Sequence, residues 1–149
     1  MEKLTVSSPA FRQGNLIPAT YTCDGPDINP PLLIEHVPLA AKTLALIMDD
    51  PDAPGGMWVH WILWNIDPGT HEIKENSVPG GAKQGRNDFG KTTYGGPCPP
   101  SGTHRYFFKL FALDTTLDLG PGTSKTALEK AMNGHVIAQG ELMGKYKRA

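Results

Sequence analysis

The chain has 149 residues, with 14 Lys+Arg against 15 Asp+Glu and a formal net charge of -1. That length suits a single domain, 1–149, with its own core, and the charge balance argues against nucleic acid as a partner, since phosphate-backbone binding shows as a basic excess. No run of about 18 apolar residues exists to span a membrane, and the start, MEKLTVSSPAFRQGN, lacks a signal-peptide core, so a cytoplasmic location is expected.

Glycine (17) and proline (14) together make about a fifth of the chain, against a usual share of roughly an eighth. Frequent tight turns are therefore expected, and a helical bundle is disfavoured. Leu32–Val37, bounded by Pro30-Pro31 and Pro38, predicts a first, weak strand. Thr43–Met48 is a short apolar run that ends at an acidic loop, as a buried strand would. Trp58–Ile66, reading WVHWILWNI, is too aromatic and β-branched for a helix. Strict alternation puts Trp58, His60, Ile62 and Trp64 on one face and Val59, Trp61 and Leu63 on the other. Both faces are apolar, so a central strand covered on both sides is expected.

A long glycine-rich passage containing NDFG, YGG and PCPPSG follows, and loops of that length are usually functional or anchored by their own packing. His104–Leu113, reading HRYFFKLFAL, predicts another strand. Ser124–Asn133 carries Ala127, Leu128, Ala131 and Met132 at helical spacing, with Thr126 and Glu129 as a capping box and Gly134 as a stop. His135–Leu142 predicts a closing strand, and Lys145–Arg148 a solvated tail. The sum is an all-β sandwich with at least one helix packed on it. Cys23 and Cys98 have no metal-cluster spacing; in a reducing cytosol two free thiols are expected, with a single bridge as the alternative.

Chemistry concentrates at two strand entries. The loop DDPDAP brings Asp50 and Asp52 to His60, while His104 opens its own strand after a matching proline- and glycine-rich loop. A lone histidine on an apolar face is most simply a core residue satisfied by a carbonyl. Two strand-entry histidines with two acids suggest instead one pocket, in which each carboxylate fixes or charges an imidazole. Tyr106 shares a face with His104, Trp58 offers an apolar side, and N–H groups of the Gly95-Gly96-Pro97 turn could complete an anion site. Arg105 points the other way, as a structural ion-pair partner. Metal binding by Asp50, Asp52, His60 and His104 lacks H-x-H or H-E-x-x-H spacing. A hydrolase would need a nucleophile such as Ser101 or Cys98, and no G-x-S-x-G elbow exists. No cofactor motif is present, since GGPCPPSG lacks the lysine of a Walker loop.

DPDAP followed by a W-x-H strand, then G-P-x(6)-H-R-Y, resembles the phosphatidylethanolamine-binding protein family, which includes the Raf kinase inhibitor proteins. Tyr21–Gly25, Asn29–Leu32, Asn87–Gly90, Tyr94–Pro100 and Gly134-His135 are similar to its bacterial and archaeal branch. The ordered series covers nearly the whole chain. The resemblance implies a Greek-key β-sandwich of antiparallel sheets with one or two peripheral helices. It implies a small anion pocket built from Asp50, Asp52, Trp58, His60, Gly96, Pro97, His104 and Tyr106. Ligands of the family are phosphate, phosphorylethanolamine or similar anions, and homodimers are plausible. Val59 stands where animal members often have a second histidine, and Cys98 where they often have proline. The expected function is non-enzymatic binding of phosphate or a phosphorylated or phospholipid headgroup. The alternative is a protein-interaction role as a serine-protease or kinase inhibitor, with an unrecognised hydrolase a further possibility. Asp24, in YTCDG, is expected to cap a turn.

Overall fold

A computed structural model describes residues 2–149. In chain order it contains β1 (Glu2–Lys3), β2 (Thr5–Ser7), a 3-10 turn at Ala19–Tyr21, β3 (Leu32–Glu35), β4 (Thr43–Asp50) and β5 (Trp58–Ile66). There follow β6 (Glu72–Ile73), β7 (Lys83–Gln84), β8 (His104–Leu113), α1 (Lys125–Met132) and β9 (Val136–Tyr146). One sheet has the order β1-β9-β8-β4-β5-β7 and a smaller one the order β2-β3-β6. Pairing is antiparallel except between β1 and β9, where Glu2 stands beside Ala138. The mainly β, two-sheet sandwich expected from the sequence is the fold observed.

Burial on both faces explains the sequence of β4, whose eight residues are all buried. Leu44, Leu46 and Met48 join Trp61, Leu63, Phe108 and Leu110 against the smaller sheet. Ala45 and Ile47 join Ile62, Trp64 and Leu113 against Leu128 and Met132 of α1. Asp49 belongs to the second side, where its fully buried carboxylate meets Lys109 at 3.1 Å and Lys125 of the helix at 2.9 Å. Two adjacent acids thus avoid each other by strand alternation: Asp49 turns to the helix and Asp50 to the opposite face.

Several expectations are corrected. The helix is capped by Ser124, whose hydroxyl accepts from the Ala127 N–H, so Thr126 and Glu129 are not the capping pair. Gly134 does follow the helix with φ 84°, where a side chain would be strained. The basic end is no free tail. Lys145 and Tyr146 pair with Arg105 and His104 in β9. The Tyr146 hydroxyl and the Arg148 guanidinium both donate to Asp24. Asp24 therefore anchors the chain end rather than capping a turn. Cys23 and Cys98 are bridged rather than free.

Candidate functional site

Register between β4 and β5 sets where the site lies. Met48 pairs with Trp61, but the next residue, Asp49, pairs with Val59, which leaves His60 as the extra residue of a β-bulge. The bulge resets the alternation. Val59 packs with Ile62 and Trp64 on the helix side, while Trp61 and Leu63 face the smaller sheet. Strict alternation would have sent His60 toward the helix; instead its ring meets Tyr106 edge-on at 5.2 Å. Trp58 pairs with Asp50 and comes to the same side.

Asp50 and His104 form the best-defined contact of the site. The His104 Nδ1–H donates to Asp50 Oδ2 at 2.7 Å, with both side chains buried. The other carboxylate oxygen of Asp50 accepts from the Asp52 backbone N–H, also at 2.7 Å. The imidazole is thereby fixed with Nε2 as its unspent nitrogen. His60 reaches the same condition by another route. Its Nδ1–H donates to the Gly95 carbonyl at 2.6 Å, and the Gly95 N–H returns a bond to the His60 carbonyl. Burial holds the His60 imidazole below its ordinary pKa, against the opposing pull of the Gly95 carbonyl and the Asp50 charge.

Tyr106 completes the trio. It is fully buried and stacks on His104 with ring centres 6.4 Å apart. No hydrogen bond to its hydroxyl is formed among the described residues. Burial, with the Asp50 and Asp52 charges, pushes that hydroxyl well above the usual phenol pKa, so it remains a donor.

These groups line one cavity of about 560 Å³ whose wall includes Asp50, Trp58, His60, His104 and Tyr106. Three residues expected at the site lie elsewhere. Asp52 faces a neighbouring cleft with Lys145 and holds Arg105 through Nε and Nη2, each at 2.9 Å. The Arg105 guanidinium keeps its carboxyl at a pKa of about 2. Gly96 and Pro97 are not in the lining of this cavity, and the loop N–H groups are spent: Gly95 donates to His60 and Gly96 to Asp27 at 2.8 Å. The loop thus supplies the carbonyl that orients His60 instead of donors for an anion.

The cavity also has members that the site assignment from sequence missed. Asp88 accepts from the Val59 N–H at 2.6 Å, and Phe89 packs edge-on to Trp58 at 5.6 Å and to His60 at 5.3 Å. Met57, Trp58 and Phe89 form a partly exposed apolar rim. Cys98, Pro99 and Pro100 make a further wall. The signal for these was the NDFG and PCPPSG loop itself, an aromatic and paired prolines in an otherwise polar, glycine-rich passage.

Comparison with known proteins gives consistent matches over the whole chain. A family model described as phosphatidylethanolamine-binding protein matches residues 7–147. A UPF0098 protein of Methanothermobacter thermautotrophicus is 51% identical over 150 residues, covering 97% of this chain and 99% of that one. One from Pyrococcus horikoshii is 54% identical, covering 99% and 79%. Among solved structures, a protein of Chlamydia trachomatis described as a phosphatidylethanolamine-binding protein homologue superposes with a TM-score of 0.95 at 42% identity, over 100% of both chains. YbcL of E. coli, described as a new member of the mammalian family, gives 0.92 at 31%, over 99% of both.

Proposed function

The chain belongs to the phosphatidylethanolamine-binding protein family, and from that premise we propose that it is a non-enzymatic binding protein whose cavity takes a phosphate-type anion, free or as a phosphorylated headgroup. The observation that carries this reading is the convergence of three polar atoms with no hydrogen-bond partner among the described residues. They are Nε2 of His60, Nε2 of His104 and the hydroxyl of Tyr106, each on a ring that lines the same cavity. The rings are buried while these atoms open onto one cavity, an arrangement suited to a ligand that satisfies all three. Each histidine nitrogen donates to an oxyanion once the ring is protonated, and the tyrosine donates at any ordinary pH.

Charge narrows the ligand. Asp50 and Asp88 stand in the same lining. A bare dianion is repelled by them, whereas a headgroup with its own ammonium offers that group to Asp88 and its phosphate to the histidines. The lining includes no serine or threonine, and the sulfur of Cys98 is bonded to Cys23, so no aliphatic hydroxyl or free thiol lines the cavity beside the imidazoles.

Because burial keeps His60 neutral near pH 7, anion binding takes up a proton and strengthens as pH falls. Calorimetric titration with inorganic phosphate and with phosphorylethanolamine, from pH 5.5 to 8.5, tests this. Affinity that is flat with pH, or retained in both His60→Ala and His104→Ala, would refute it.

A further inference from the structure

The loop that walls the cavity is held in two different ways along its length. From Gly95 to Pro97 it is docked by hydrogen bonds: Gly95 exchanges two with His60, the Gly96 N–H reaches Asp27, and the Pro97 carbonyl accepts from the Cys23 N–H. Gly96 is packed so closely on the Tyr21 carbonyl and Thr22 that a Cβ there would collide with backbone. Beyond Pro97 this docking stops. From residue 98 to residue 103 no hydrogen bond ties the chain down among the described residues, and the next fixed point is His104 in β8. Pro99 and Pro100 have no N–H to offer. Ser101, Gly102 and Thr103 are exposed.

Cys98, Pro99 and Pro100 are nevertheless the part of this loop that lines the cavity. Besides the packing of Pro99, what holds them is the bridge to Cys23, a residue 75 positions away in sequence. Cys23 is a firm post. Thr22 before it closes back on Ala19 through both its N–H and its hydroxyl, at the end of the 3-10 turn. Both cysteines are partly exposed, so the bridge lies at the surface rather than in the core, where exchange with a small thiol is open to it.

We propose that Cys23 and Cys98 form a reversible thiol–disulfide site that controls whether the ligand cavity has its Cys98–Pro100 wall. The reductant is a dithiol, small or protein-borne. Its thiolate attacks one sulfur and breaks the Cys23–Cys98 bond, giving a mixed disulfide and a cysteine thiolate that takes a proton. Its second thiol then displaces the remaining protein sulfur. Two electrons and two protons pass to the protein, which ends as two thiols, and the reagent leaves as a disulfide. Reduction frees residues 98–103 between Pro97 and His104 while leaving His60, His104 and Tyr106 in place. The binding-competent form is then only a fraction of the population, and apparent affinity falls by that fraction.

The effect on ligand affinity rests on the anion-binding reading above; the change in loop order does not. The test compares the full oxidised chain with the chain reduced by dithiothreitol, with Cys23→Ser and Cys98→Ser as permanently open forms. Backbone nitrogen-15 relaxation is read at residues 98 and 101–103, and phosphorylethanolamine and inorganic phosphate are titrated into each form. A wall ordered in one molecule in five weakens binding about fivefold. The expected result is that weakening, with greater mobility confined to the loop and the amides of β4 and β8 still protected from hydrogen exchange. Unchanged loop relaxation overturns the proposal, as does exchange protection lost across β4 and β8 together. Equal or tighter binding by the reduced chain also overturns it. If neither probe binds either form but loop mobility rises on reduction, the redox-controlled wall stands and the anion reading falls.

Discussion

Replacing Asp50 with asparagine separates the charge of the site from its shape. The buried carboxylate accepts from the Asp52 N–H and from His104 Nδ1, both at 2.7 Å. Hydrogen bonds to a charged acceptor contribute about 1.5–3 kcal/mol, and neutral ones about 0.5–1.5. Downgrading two therefore costs about 2 kcal/mol, or ~4–8 °C in Tm for a chain of this size. A second effect is specific to this geometry. The Asp52 backbone amide can only donate, so the asparagine Oδ1 stays with it and the Nδ2 amide turns to His104. Donor then faces donor unless neutral His104 moves its proton from Nδ1 to Nε2, toward the cavity. Nitrogen-15 chemical shifts of labelled histidine read that tautomer directly, and thermal denaturation reads the stability. An Asp50→Asn protein that melts within about 1 °C of the parent and keeps His104 protonated on Nδ1 would refute the assigned role of Asp50.

The neighbouring acid behaves differently. Asp52 and Arg105 form a partly exposed pair, so Asp52→Asn lowers stability by no more than about 1 kcal/mol and leaves the His104 tautomer unchanged in the same two assays. Gly96→Ala drives a Cβ into the Tyr21 carbonyl, the Asp27 carboxylate and Thr22. The cost is about 1–3 kcal/mol by denaturant titration, with weaker phosphorylethanolamine binding as the loop lifts. His60 gives a pH signature. The folded protein holds it below the ordinary imidazole value, so the unfolded chain takes up that proton first as pH falls. Stability declines from about pH 6.5 downward through the lower folded value. In His60→Leu that part of the decline is absent, and Tm measured between about pH 7 and pH 5 is flatter.

The long strands were legible because their residues decide them alone. Trp58–Ile66 and His104–Leu113 have the predicted limits, since aromatic and β-branched runs of that length have few other uses. The strands of two or three residues were invisible, because periodicity needs more positions than they have. The site was legible as a neighbourhood but not as a set of contacts. His60, His104, Asp50 and Tyr106 could be grouped from their places at strand ends. Which face His60 takes depends on a bulge, a property of β4 and β5 paired, and neither sequence alone carries it. Asp52 was misplaced for a related reason. Its partner Arg105 was read as structural, but nothing in DPDAP says which of its acids that arginine claims. The free-thiol expectation followed from an assumed compartment; the distance between two cysteines 75 residues apart is set by the fold.

The parallel pairing of β1 with β9 has a practical consequence for how such a protein is handled. Glu2 lies beside Ala138, while the His104 end of the sheet lies beside Tyr146. Those points are eight residues apart on β9, or about 26 Å at the usual rise of an extended strand. Glu2 therefore lies far from the cavity, and the last residues beside it. A purification tag or surface tether joined ahead of Glu2 leaves the cavity mouth unobstructed. The same tether after Ala149 would crowd Pro99 and Pro100, which share a cleft with Arg148 and the chain end.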